Sequence, residues 1–109
     1  MATTTYAVLG QMVGTASLQD LYTAGASEQA VISTITIANR GTAADTYRIA
    51  VRPNGESIAN KHYVAYDATC PANDTIALTL GITLDGNDVL SVYSGTTNLT
   101  FNAFGAEIN

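Results

Sequence analysis

The stretch Asp74-Thr75-Ile76-Ala77-Leu78-Thr79-Leu80 constrains the fold of this chain more than any other. Small or hydroxyl side chains alternate there with large aliphatic ones at the period of a half-buried strand. One side of such a segment must be covered, while the other tolerates water. The pattern returns in Val31 to Ile37, in Thr46-Tyr47-Arg48-Ile49-Ala50-Val51 and in Val89 to Tyr93. Turn-forming residues separate these runs: Asn39-Arg40-Gly41, Pro53-Asn54-Gly55, Pro71-Ala72-Asn73-Asp74 and Asp85-Gly86-Asn87-Asp88.

Strands are therefore expected over Tyr6 to Leu9, Ala30 to Ala38, Asp45 to Arg52, Lys61 to Asp67, Asp74 to Leu80, Val89 to Ser94 and Leu99 to Phe104. Gly81 to Leu84 extends or bends the fifth of them. Gly10 and Gly14 read as the end of the first, and Gly105 as a candidate break in the last. Residues 1–28 are the least regular part, an arm or loop region with a short strand near Leu21 to Thr23. Seven or eight short strands in 109 residues imply an all-β chain. The expected architecture is a single antiparallel β-sandwich domain over 1–109, jelly-roll or Greek-key-like. Its inward side chains would be Val31, Ile35, Ile37, Tyr47, Ile49 and Val51 from the first half. The second half would add Val64, Ile76, Leu78, Leu80, Val89 and Phe101.

Charged residues make up only 12% of the chain, and the net charge is −5. Lys61 and three arginines are all the cations there are, so no basic patch exists to bind nucleic acid directly. No run approaches the roughly 20 apolar residues of a spanning helix, and no membrane contact is expected. Met1-Ala2-Thr3-Thr4-Thr5 lacks the regions of a signal peptide, which points to synthesis in the cytoplasm. A surface poor in long charged side chains loses little entropy or hydration when another protein covers it.

The chemistry-bearing residues do not assemble into a catalytic, cofactor or metal site. Asp85, Asn87 and Asp88 offer oxygen ligands in a Gly-containing turn, but the spacing suits side chains that bond their own backbone better than a calcium loop. Cys70 has no CxxC partner and reads as a buried thiol. His62 lacks a nucleophile and an orienting acid, so it reads as a half-buried or contact residue. Arg48 and Arg52 alternate on one strand face, where they would meet acids across a sheet or a subunit boundary. The candidate interface residues are accordingly Arg40, Arg48, Arg52, His62 and Tyr63. Tyr47, Tyr63, Tyr66 and Tyr93 could together form a sugar platform.

Three strings carry a resemblance to a known group: Ala44-Asp45-Thr46-Tyr47-Arg48-Ile49-Ala50-Val51-Arg52-Pro53, Ile58 to Asp67, and Pro71 to Leu84. With Asp88 to Ser94 and Phe101-Asn102-Ala103-Phe104-Gly105, they resemble small virion proteins of tailed bacteriophages, especially phages of cyanobacteria. The resemblance implies a non-enzymatic structural subunit present in many copies on the particle. It points first to a capsid decoration or cement protein, a homo-oligomer of trimeric form that binds the major capsid protein. A tail, baseplate or fibre-associated subunit contacting tail subunits is the alternative, and a carbohydrate-binding adhesin the next. The expected location is the virion.

Overall fold

In a computed structural model, which describes residues 2–109, nine antiparallel strands form two facing sheets. They are β1 (Thr4–Val13), β2 (Gln19–Thr23), β3 (Gln29–Asn39), β4 (Asp45–Arg52), β5 (Tyr63–Cys70), β6 (Thr75–Leu78), β7 (Ile82–Leu84), β8 (Val89–Ser94) and β9 (Leu99–Ile108). The first sheet runs β1-β9-β3, with β6 and β7 both paired to the free side of β3. The second runs β2-β8-β4-β5. The described residues contain no α-helix, only single 3₁₀ turns at Pro53–Gly55 and Asn60–His62. Among the described residues no helix is long and apolar enough to cross a membrane.

The chain changes sheet after β1, β2, β3, β5, β7 and β8, which interleaves two Greek keys into a jelly roll. Eight strand positions are filled. The ninth segment arises because Thr79-Leu80-Gly81 leaves the ladder between Leu78 and Ile82, and Gly81 takes a φ of 63° there. The expected turns hold their shape through the left-handed residues Asn54, Asn73 and Asn87, since Asn tolerates positive φ better than most side chains.

Between the sheets lie Ile32, Ile35, Ile37, Ile49, Leu90, Val92, Leu99 and Phe101, all fully buried. Each such side chain contributes roughly 1.5–3 kcal/mol relative to exposure. Ile35, Ile37, Tyr47, Ile49 and Phe101 occupy the expected positions, with Ile76, Leu78 and Val51 packed at the margin. Val89 is buried too, but beside Arg52 and Thr23 on the outer row.

Four inward assignments fail: Val89, because Leu90 and Val92 fill the core from β8, and Val31, Val64 and Leu80, where a ladder bulges or is interrupted. Ser33 is an extra residue in β3 opposite β9, so the inward phase moves from odd to even numbers and Ala30 and Ile32 take the core. Val31 is thereby turned outward. In β5, bulges opposite β4, with Asp67 at φ 50°, leave Ala65 and Ala68 facing the core. Val64 is 50% exposed. Leu80 sits in the interruption between β6 and β7 and is 48% exposed.

Gly14 does close β1, directly after Val13, but Gly10 and Gly105 are points of close approach inside strands. β1 runs through Gly10 and β9 through Gly105. A Cβ on Gly105 would lie 1.8 Å from the Val31 carbonyl oxygen, so only glycine fits there. Residues 4–13 and 19–23, within the segment expected to be an arm or loop, supply one edge of each sheet.

Candidate functional site

Register assigns the outward side chains of the first sheet. The rows are Val13-Thr100-Ala38-Thr75, Gln11-Asn102-Thr36-Ala77, Val8-Phe104-Thr34, Tyr6-Ala106-Val31-Thr83 and Thr4-Ile108-Gln29. None of these side chains is charged. One end is apolar, where Tyr6, Val8, Phe104, Ala106, Val31 and Ile108 adjoin and Tyr6 is 83% exposed. A shallow hollow of about 340 Å³ lies between Tyr6, Val31, Ala106 and Ile108. The single charged residue of the five strands, Glu107, points the other way and accepts a 2.6 Å hydrogen bond from the Tyr22 hydroxyl across the sandwich. Burial and that carboxylate push the Tyr22 hydroxyl well above its ordinary value.

The outer face of the second sheet is built from ion pairs. Arg48 donates from Nε to Asp67 Oδ1 at 2.6 Å and from Nη2 to Oδ2 at 3.3 Å. Its guanidinium lies 4.3 Å from the Tyr66 ring centre and 4.4 Å from that of Tyr93. The hydrogen bond to Asp67 holds the Arg48 proton more tightly still. Tyr63 meets Tyr66 edge to face at 4.8 Å. Arg52 reaches Asp20 Oδ1 at 2.8 Å and the Ser91 hydroxyl at 3.1 Å, and it donates to the Glu56 carbonyl at 2.8 Å.

The five residues expected at an interface do not converge. Arg48, Arg52 and Tyr63 belong to the second sheet, and both arginines already have aspartate partners within the chain. Arg40 lies in the β3–β4 connection and is tied to the start of β9 through its Nε to the Thr100 hydroxyl at 2.9 Å, and to the β8–β9 turn through its Nη2 to the Thr97 carbonyl. His62 lies not in a strand but in the 3₁₀ turn before β5, and it is 4% exposed. Its Nδ1 accepts from the Ala59 amide at 3.0 Å, which leaves the proton on Nε2 to be donated to Glu56 Oε1 at 3.0 Å. It therefore pins the 53–62 loop and presents no surface.

The other candidates are likewise engaged at home. Asp88 accepts from the amides of Asn54 and Asp85, and Asp85 from the Gly86 amide, so this turn's carboxylates serve its own backbone and that of the adjoining Pro53–Gly55 turn. Cys70 is fully buried, and burial with the nearby Asp74 charge pushes its thiol up. Tyr47 faces the core, so it stands apart from Tyr63, Tyr66 and Tyr93. The sequence reading missed Tyr6 and Val8. The available signal was the absence of any charged residue before Asp20.

No family model and no curated protein matches this chain. Solved structures do share its fold. A chain of the infectious bursal disease virus particle superposes with a TM-score of 0.55 at 9% identity, over 99% of this chain and 30% of that one. A chain of the acid-stable capsid of Helicobacter pylori bacteriophage KHP30 gives 0.52 at 10% identity, over 100% of this chain and 94% of that one. The Gx strain of infectious bursal disease virus gives 0.50 at 11% identity, over 99% and 31%. The chain thus spans under a third of the bursal virus chains and nearly the whole of the phage chain. Its fold is one found in viral capsids.

Proposed function

We propose that this chain is a non-enzymatic, single-domain structural subunit of a virion. In this reading it is a decoration or cement protein of a tailed bacteriophage that seats the uncharged face of its first sheet on the assembled shell. The observation that carries the reading is that face: five strands of outward side chains without an ion, on a jelly roll of the kind capsids use. Covering it strands no charge, and burying an unpaired charge is the costliest event at an interface. The opposite face has partners for its arginines and would remain toward solvent.

Purified protein added to shells that lack it should rebind, stay bound at raised ionic strength, and increase resistance to heat or osmotic shock. Thr36→Glu, which puts a carboxylate in the middle of the neutral face, should weaken rebinding by at least about tenfold, whereas Arg48→Ala should change it by less than about twofold. Shells of unchanged stability, with this protein's density on the tail, would instead make it a tail, baseplate or fibre-associated subunit. The hollow of about 470 Å³ beside Asn60, Tyr63 and Tyr66 favours a second reading, a carbohydrate-binding adhesin. Saturable binding of host polysaccharide, lost in Tyr66→Ala, would support it.

A further inference from the structure

We propose that β1 is an open docking edge that pairs with β1 of a second copy of this chain, joining two first sheets into one across a two-fold axis. The inference rests on strand pairing alone and stands whether or not the protein sits on a capsid.

A jelly roll has four sheet edges, and three of them here are blunted. β2 is five residues long, carries Asp20 and is bulged between Asp20 and Tyr22. β5 carries Asp67 at positive φ and is bulged against β4. The β6/β7 edge consists of two short pieces, interrupted at Gly81 and flanked by Asp74 and Asp85. These are the devices by which sheets prevent unwanted pairing. β1 has neither a charge nor a proline along its ten residues, and its ladder with β9 is regular from Thr4 to Val8.

The pairing also has a definite register. Thr3 and Asn109 exchange both backbone hydrogen bonds, with the Asn109 amide donating to the Thr3 carbonyl at 3.0 Å. Alternation along an antiparallel ladder then directs the N–H and C=O groups of Thr5 and Ala7 toward β9, and those of Thr4, Tyr6 and Val8 to the open side. A two-fold axis at Tyr6 sets Tyr6 against its own copy and Thr4 of one chain against Val8 of the other. All the open groups from Thr4 to Val8 are then satisfied. Outward side chains stay outward on both copies, so the apolar ends around Tyr6, Val8 and Phe104 become continuous.

Charge argues for a copy as the occupant. Each chain carries −5, so two copies repel wherever their acids face each other. Along β1 and the neutral face beside it there is nothing to repel. A basic partner would gain nothing from that strand and would favour the acidic turns. One strand pair covers less than the ~800 Å² per partner of a standard interface, so the free protein should dimerise weakly and reversibly, with little response to salt.

Cysteine cross-linking of the whole chain tests the register. Tyr6→Cys on the axis brings two Cα atoms to about 5.5 Å, within disulfide reach. Under mild oxidation it should form a covalent dimer at least about tenfold faster than Val13→Cys, at the far end of the same strand. Tyr6→Pro removes only an N–H that points away from β9, so it should keep the melting temperature while lowering the dimer fraction in sedimentation at high concentration. Equal cross-linking of the two cysteine variants, none at all, or a trimer unaffected by Tyr6→Pro would overturn the proposal. So would Tyr6→Cys linking to a different protein in particles and never to its own copy.

Discussion

The two outer faces of the sandwich differ completely in charge: the outward charged side chains of the strands, Asp20, Arg48, Arg52 and Asp67, all lie on the second sheet. The first sheet shows water only neutral side chains and turns Glu107 inward. The second displays Arg48 with Asp67, Arg52 with Asp20, Tyr66 and Tyr93 against the Arg48 guanidinium, and Tyr63 against Tyr66. A low average charge is therefore not a uniformly bland surface. It is one face without charge and one whose charges satisfy each other, and the difference is set by which strands the topology makes neighbours.

The largest expected effect tests how tightly the neutral sheet is built. Gly105→Ala should cost about 3 kcal/mol or more and lower the melting temperature by over about 10 °C, because the new methyl meets backbone that cannot yield. Gly81→Ala, in open space at positive φ, should cost only about 1 kcal/mol. Equal losses in thermal scans would show that the close approach at Gly105 is absent.

On the inner side of the second sheet, Gln19 Oε1 is buried and has no hydrogen-bond partner among the described residues. Gln19→Met should therefore stabilise by about 1 kcal/mol in a denaturant titration, and a loss would point to a bridging water. A smaller change is expected from the paired face. Arg48→Ala should lower the melting temperature by about 2 °C at low salt, with the difference shrinking near 1 M, since Arg48 and Asp67 are part-exposed. Thr36→Ala on the neutral face should show no such salt dependence.

The smallest effect concerns pH. Glu56 is held below its ordinary value of 4.5 by the hydrogen bond from His62, with Lys61 adding its charge. A depressed carboxyl stabilises the fold fully above the unfolded value and loses that contribution as pH falls through the folded one. The stability gap between the native protein and Glu56→Gln should thus be present at neutral pH and close below pH 4.5. A gap that persists in acid would mean that His62 does not hold the carboxylate.

Much of the architecture was legible because local pattern determines it. Asp45–Arg52 and Val89–Ser94 appear with the expected bounds, since unbroken alternation between strong turn residues leaves little freedom. Errors clustered where the ladder slips. Val31 was placed inward because alternation counted from Ile37 cannot register the extra Ser33, and Leu80 because nothing local shows that the chain leaves β3 at that point. Gly10 and Gly105 resembled breaks, since crowding from Leu21 and Val31 is a tertiary fact. The contact residues were the least readable. Arginines attract attention in a sequence, yet whether an arginine is free depends on acids such as Asp20, 32 residues away from Arg52.

The bulges have a consequence of their own. Leu9 in β1, Ser33 in β3 and the gap after Leu78 all fall opposite Ala103 to Gly105 of β9, so one line of irregular pairing crosses the whole first sheet. Such a line acts as a crease. The apolar corner beyond it can tilt against the rest of the sheet without shearing regular hydrogen bonds. Backbone amides along the crease should exchange with solvent faster than those of β9 on either side.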